Sequence, residues 1–410
     1  MVTKSVYTMS RKKDQSDDPV RHGINLDHKM SEVLASQKNV INNYYENKKW
    51  DKHKKQANLY ELVFTTGNTY PSISSVNPLS RSYFKHWEIL KDFEGDLASI
   101  FSQKKMRCAF LAEGPGGFIE AFNDFRKRND IKESVHSKDE IYGITLISSD
   151  KSVPSWRLSK EMISKYNITL LFGPDGDGSL YSLRNINFFI DEIGLHSCDY
   201  ITADGGFDFS DDFNHQEESS IKLIITEVYT TLQIQKKGGA FLLKIYDISL
   251  PITKKIMHVL YQLYESITFV KPLTSRPANS EKYVLCLNFL GSEDSDFALA
   301  KKYADMFYNC IKTNTFYPLL SLHVPKEFEE SVSFFNVIYV IKQIIHINMT
   351  LCYIFNYKDN KKDDESTTLR IQIENALKWC HKYAIPISIT NLQFYRTLCL
   401  QQQQQKQSNN

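Results

Sequence analysis

The stretch Cys108-Ala109-Phe110-Leu111-Ala112-Glu113-Gly114-Pro115-Gly116-Gly117-Phe118 decides the fold. Its first five residues make a short apolar run of strand length, a glycine-rich turn follows at once, and helix-like text covers 118–125. An apolar strand that turns through glycines into a helix belongs to a sheet buried on both faces. Glycines there let a ligand approach the backbone closely, and the helix offers its first amides to an anionic group. By itself the turn suits a dinucleotide, a flavin or S-adenosylmethionine, although the Gly-x-Gly-x-x-Gly pattern of dinucleotide sites is absent.

Outward from this turn, apolar runs at 141–146, 169–172, 197–203, 239–245, 266–271 and 282–288 add six strands. Helical spacing at 216–236 and 252–264 separates the later ones. Seven strands bracketed by helices predict an α/β domain over 78–292, with a mostly parallel seven-stranded sheet and helices on both faces. In such sheets ligands gather at the carboxyl ends of the strands. Residues 28–77 read as an N-terminal helical extension and 293–400 as a mainly helical C-terminal region. Residues 1–27 are polar with little periodicity and predict a flexible terminus, 358–367 a loop, and the glutamine-rich 401–410 a disordered tail. The longest apolar stretch, 332–355, is interrupted by Lys342, Gln343, His346 and Asn348, which predicts a buried helix pair over a membrane span.

The 410 residues are 42% hydrophobic and 13% aromatic, enough for a sizeable core. A net charge of +2 does not announce a nucleic-acid binder, so RNA contacts must come from local patches such as the lysine-rich run at 47–55. That run reads equally well as a solvated helix face. Seven cysteines, an odd number without a Cys-x-x-Cys pair, support neither a disulfide framework nor a zinc ribbon. Cys380 and His381 are neighbours in helical text and point to different faces, so no metal site is expected. No apolar signal region opens the chain, and the expectation is a soluble protein of a reducing compartment.

Chemistry concentrates at four positions. Asp204 ends a strand in Ala203-Asp204-Gly205-Gly206-Phe207, where two glycines expose its carboxylate; alone it also reads as an ordinary Asp-Gly turn. Lys244 stands among Phe241, Leu242, Leu243 and Ile245, where desolvation favours the neutral amine a general base requires. A lysine snorkelling from a strand end is the plainer reading. Carboxylates nearby push the other way, so its net shift has no sign from sequence. Lys85, in Ser80-Arg81-Ser82-Tyr83-Phe84-Lys85, and Glu281, in Ser275-Arg276-Pro277-Ala278-Asn279-Ser280-Glu281, would orient Lys244 and a sugar. Arg81, Ser275, Arg276 and Asn279 are typed to hold RNA phosphate or ribose, or else form surface pairs.

These motifs resemble the FtsJ-like RNA ribose 2′-O-methyltransferases, and within them the cap-specific mRNA branch. Lys54–Glu61, 78–85, 113–118, Gly143-Ile144-Thr145-Leu146, 203–207 with Gln216-Glu217, 238–244 and 271–281 carry the likeness. The resemblance implies a Rossmann-like S-adenosylmethionine-dependent fold with helical extensions, and a Lys85-Asp204-Lys244-Glu281 tetrad in which Lys244 is the proton acceptor. It implies cofactor contacts at Gly114, Pro115, Gly116, Gly117, Phe118 and Asp204, with Asp175 and Asp177 beside the adenosine. The methyl would go to the ribose of the first or second transcribed nucleotide beside a 7-methylguanosine cap. Implied partners are capped mRNA and other capping or transcription machinery; the implied compartment is the nucleus for a cellular source, or host cytoplasm or virion for a viral one. One departure stands out: no acidic residue closes the second strand, where many methyltransferases hold the cofactor ribose. An FtsJ-type enzyme acting on ribosomal or transfer RNA, and a non-catalytic subunit that kept the fold, are the competing readings.

Overall fold

The structure, a computed structural model, describes residues 5–10, 23–45, 49–66, 70–128, 139–206, 213–291, 294–356 and 362–408. Its strands are β1 (Ser5–Ser10), β2 (Arg107–Leu111), β3 (Glu140–Ile144), β4 (Ile168–Leu171), β5 (Cys198–Ala203), β6 (Gln235–Ile245), β7 (Tyr264–Lys271) and β8 (Lys282–Phe289). Between β1 and β2 come helices α1 (Gly23–Tyr45), α2 (Lys49–Ala57), α3 (Ser82–Asp92) and α4 (Ala98–Phe101). Between strands run α5 (Gly117–Arg128), α6 (Lys160–Lys165), α7 (Leu183–Ile193), α8 (Gln216–Ile234) and α9 (Pro251–Leu263). Five more close the chain: α10 (Asp294–Thr313), α11 (Tyr317–Leu320), α12 (Lys326–Asn356), α13 (Lys362–Lys382) and α14 (Ile389–Ser408).

The strands join into one sheet in the order β1-β7-β8-β6-β5-β2-β3-β4. The five from β6 to β4 are parallel, while β8 runs antiparallel between β6 and β7. Alternation along each strand splits the core into two layers. Ala109, Leu111, Phe241 and Leu243 face the α7–α10 side, and Cys108, Phe110 and Leu242 face α3, α5 and α13. Each fully buried large side chain contributes roughly 1.5–3 kcal/mol. The order reverses between β2 and β5, so a crevice opens past their carboxyl ends, where the turn at 112–116 and Asp204 both emerge.

Four expectations change. Residues 1–27 are not uniformly flexible, because Ser5–Ser10 adds an eighth strand antiparallel to β7. Its short Val-Tyr-Thr-Met text gives little signal alone; it is fixed by Tyr7 stacking on Phe335 at 4.7 Å and by Thr8 Oγ1 meeting Thr268 Oγ1 at 2.8 Å. The stretch 332–355 belongs to one continuous helix, not a pair. That helix is long and apolar enough to cross a bilayer, yet Val340, Ile347 and Leu351 pack on Leu34 and Ile41 of α1. Helix α13 begins at Lys362, inside the expected loop, while 357–361 lie outside the described residues. Glutamine is a good helix former, and α14 runs through its tract to Ser408.

The N-terminal extension is wired into the α/β domain by buried charge. Lys38 of α1 donates to Asp247 Oδ2 at 2.9 Å, and Lys282 reaches Asp247 Oδ1 at 3.2 Å. Burial alone would raise the Asp247 carboxyl, but the two lysines outweigh it and hold it well below the usual carboxylate range. A second set joins α1, α9 and α12: Lys254 donates to Asp27 at 2.7 Å and to Ser333 at 2.8 Å, and Asn336 donates to Asp27 at 2.8 Å.

Removing one partner of a buried pair leaves an uncompensated charge. Lys38→Met is expected to lower unfolding free energy by about 3 kcal/mol, the low end for such losses because Lys282 remains. Urea unfolding checks this, and a change within a few tenths of wild type would contradict it.

Candidate active site

Helix α3 presents Lys85 to the crevice from a face whose neighbours, Phe84, Trp87 and Leu90, are buried. Its ammonium bridges both oxygens of Glu281, at 2.7 Å to Oε1 and 2.8 Å to Oε2. Ser275 Oγ also donates to Oε1 at 2.8 Å, and Lys271 donates to the Glu281 backbone carbonyl at 2.6 Å. Burial pushes the Glu281 carboxyl upward, but Lys85, Lys244 and Lys271 together override it and keep it strongly ionised.

Asp204 and Lys244 form the second pair. Lys244 Nζ donates to the Asp204 carbonyl at 2.7 Å and lies 3.2 Å from its Oδ1. The antiparallel register of β6 and β8 sets Tyr283 opposite Lys244, and its hydroxyl donates to Asp204 Oδ1 at 2.9 Å. The four residues therefore meet: Lys244 is paired to Asp204 and also acts on Glu281, which Lys85 holds. For Lys244, burial pushes the pKa down, but Asp204, Tyr246 and Glu281 raise it above its ordinary value. The free chain rests with an ammonium here, which supplies the sign that sequence alone left open.

The two glycines after Asp204 are closely packed against side chains of the site. A Cβ at Gly205 would stand 2.2 Å from Glu227 Oε1, and one at Gly206 would stand 2.6 Å from Tyr246 Oη and 2.9 Å from Lys244 Nζ. In the turn after β2, Gly116 has φ +113°, a conformation side chains rarely adopt. Phe118 is buried and stacks on His86 at 4.4 Å, so its side chain supports the turn from below. Pro115 accepts from Arg157 N at 3.0 Å, and Gly114 N–H donates to Thr145 Oγ1 at 3.1 Å.

Two buried acids here carry no sequence signal of their own. Glu113 accepts from Thr202 through Oε1 while its Oε2 has no partner. Burial and then Asp204 push its carboxyl well above the usual range. Glu227, beneath Gly205, is likewise pushed up by burial, and its Oε1 has no partner. Orphaned acid oxygens beside Asp204 suit a ligand bearing cationic centres. Exposed Leu146, Ile147 and Phe172 past β3 and β4 suit a flat apolar ring. The residues present thus fit S-adenosylmethionine, with its sulfonium, ammonium and adenine.

Other expected contact residues bond to protein groups. Asp177 Oδ1 accepts from Asn185 Nδ2 at 2.8 Å and Ser179 N at 2.9 Å, and Asp175 pairs with Arg184 at 2.9 Å; both carboxylates brace their own loop. Arg276 grips Glu61 through two bonds, at 2.8 and 3.1 Å. Arg81 donates to the Phe64 carbonyl at 2.8 Å and to the Thr274 carbonyl at 3.1 and 3.2 Å. Asn279 Oδ1 accepts from Lys271, and Ser275 serves Glu281. The four residues typed for RNA are therefore committed to holding the 272–281 loop in shape. Glu88, unnoticed in the sequence, does the same from α3: it accepts from Leu273 N at 2.8 Å, Thr274 N at 3.2 Å and Thr274 Oγ1 at 3.0 Å. A lone acid among the buried residues of α3 was the available signal. Phe207 lies outside the described residues.

The model of the FtsJ-like methyltransferase family matches residues 78–289. The chain is 32% identical over 238 residues to the mouse cap-specific mRNA (nucleoside-2′-O-)-methyltransferase 1, a match covering 57% of this chain and 25% of that protein. It is 31% identical over 214 residues to the protein of the same name from Leishmania braziliensis, covering 50% of each. Among solved structures, a ribosomal RNA methyltransferase from Plasmodium falciparum aligns with 52% of this chain and 99% of that one, at 21% identity and a TM-score of 0.35. The chain thus spans about a quarter of the mouse relative it matches.

Glu227 is held neutral, so its folded-state pKa lies above the unfolded value of 4.5. The stability this brings is full below that pH and is lost as pH rises toward the folded value. Glu227→Gln has no such loss, so its stability relative to wild type is expected to grow with pH by up to roughly 1.4 kcal/mol per pH unit between that point and the folded value. Urea unfolding at pH 5, 6.5 and 8 measures the slope; a difference independent of pH would refute the assignment.

Proposed function

This chain belongs to the FtsJ-like methyltransferase family, and from that premise we propose that it methylates the ribose 2′-hydroxyl of a cap-proximal nucleotide in mRNA. The single observation that carries the reading is the meeting of Lys85, Asp204, Lys244 and Glu281 at the carboxyl edge of the sheet, beside the glycine turn. The cap-specific part draws on the names of the relatives.

Backbone at Gly114, Gly116 and Gly117, with Glu113 and Asp204, would hold S-adenosylmethionine, which supplies an electrophilic methyl group when bound. The donor would leave as its neutral thioether when the methyl–sulfur bond breaks, and Lys244 would take the proton given up by the ribose hydroxyl, which demands a neutral amine. In the free chain Asp204 and Glu281 oppose that state. A cationic cofactor would offset the Asp204 carboxylate and weaken its hold on the Lys244 ammonium. Lys85 fixes Glu281, and Glu281 with Ser275 orders the wall against which the sugar lies. Tyr283 keeps Asp204 in register with Lys244. The residues thus divide the work: one moves a proton, and the others set where it stands and how tightly it is held.

Incubation with labelled S-adenosylmethionine and short RNAs, capped and uncapped, followed by mapping of the labelled ribose, tests the proposal. Label on a 2′-oxygen next to the cap supports it; equal labelling of uncapped RNA points to another RNA substrate. Lys244→Ala is expected to lose at least about 100-fold in turnover, with cofactor affinity by calorimetry unchanged. Joint loss of both would make Lys244 a structural residue. Glu281→Gln removes one of the charges that favour the ammonium, so the acid limb of the pH–rate profile should move to lower pH, and movement the other way would contradict the electrostatics.

A further inference from the structure

Helix α12 lacks the charged outer face that a helix at a protein surface ordinarily shows. Between Ser331 and Asn356 its one charged residue is Lys342. The inner side is engaged: Val340, Ile347 and Leu351 pack on α1, and Gln343 donates to the Ala278 carbonyl and to Ser280 Oγ, both at 3.2 Å. Yet only half of the most apolar stretch of this helix is buried. Phe334, Ile341 and Ile345 are 49%, 39% and 51% exposed. An apolar stripe left on a surface marks a contact.

The spacing along that stripe points to the occupant. Ser331, Phe334, Ile338, Ile341, Ile345 and Asn348 follow one another at steps of three, four, three, four and three residues. This alternation is a coiled-coil seam, the repeat by which one α-helix takes another as its neighbour, and Lys342 stands at its flank, where coiled coils carry their charges. The six positions also read alike from either end, with a polar residue at each terminus and four apolar ones between. Turned about a two-fold axis, the seam sets Phe334 of each copy against Ile345 of the other, and Ile338 against Ile341. Ser331 then meets Asn348, and the two side chains can bond to each other. A parallel pairing would instead place Glu327, one step before Ser331, against its own counterpart and align the two helix dipoles. The antiparallel pairing carries neither cost.

We propose that α12 is a dimerisation helix: two copies of this chain associate by antiparallel pairing of its outer face, about a two-fold axis between Ile338 and Ile341. A closed two-fold contact uses the same patch on both partners, which is what a self-matching seam provides. A seam of this length buries about 1,000 Å² in total, the lower end of specific interfaces, so the dimer is weak and concentration-dependent. The pairing needs neither cofactor nor RNA and stands apart from the function proposed above.

Sedimentation velocity of the full chain from about 1 to 200 μM tests it, since small interfaces associate weakly. A reversible shift from monomer to dimer is expected. Ile341→Lys puts a charge into the seam and should weaken association at least about tenfold. That position is exposed in the single chain, so the melting temperature of the diluted variant should match wild type. Phe334→Lys and Ile345→Glu should each weaken association similarly, and mixing these two proteins should restore a dimer, because lysine of one then meets glutamate of the other. A chain that stays monomeric throughout overturns the proposal, as does a dimer that Ile341→Lys leaves intact. Mixing without restoration, or a disulfide between Cys352 of two copies under mild oxidation, would reveal a different pairing and overturn it as well. Flotation of monomers with phosphatidylcholine–phosphatidylserine vesicles, lost in Ile341→Lys, would assign the stripe to a membrane surface and overturn the dimer.

Discussion

A carboxylate stays ionised inside a protein when cations or hydrogen-bond donors reach it, and three cations reach Glu281. Lys85 takes both of its oxygens, Lys271 fixes its backbone carbonyl, and Lys244 acts across the crevice. Each lysine comes from a different element: one from α3, one from the end of β7 and one from β6. The charge balance at a single residue therefore fixes how three parts of the chain stand relative to one another. Glu61 and Glu88 extend the arrangement, since they hold Arg81, Arg276 and the backbone of the same loop.

The other side of the crevice is governed by the opposite circumstance. Glu113 and Glu227 are buried acids with no cation bonded to them, and burial drives them neutral. Asp204 sits between the two regimes, bonded by Lys244 and Tyr283 yet close to both neutral acids. The site thus grades from a region saturated with cations to one that lacks them, across the space where the cofactor is expected. A cationic ligand would complete the deficient side.

Much of this was legible in the chain. Continuous apolar runs gave all seven strands of the central sheet within a few residues, because strands buried on both faces cannot alternate with polar residues. That Lys85, Asp204, Lys244 and Glu281 would stand close together was legible from their places at strand ends or on α3. The added edge strand was not, since six residues of mixed polarity take on meaning only beside Thr268 and Phe335. Nor was the role of Arg81 and Arg276 readable: an arginine's partner depends on which carboxylate the fold brings near, and Glu61 lies 20 and 215 positions away respectively. Glu113 and Glu227 were hidden for a similar reason, as a neutral acid is written with the same letter as a charged one.

The ion pairs of the N-terminal helix bear on where this protein can be divided. The stretch that matches the family begins at residue 78, but Asp27, Lys38 and Glu61 lie ahead of it and answer Lys254, Asp247 and the two loop arginines inside it. A cut at that boundary would strand Lys254 and the two arginines in the interior and leave Asp247 with one of its two lysines. Shared ancestry and electrostatic closure thus draw two different borders on one polypeptide, and only the second encloses a unit whose charges are settled.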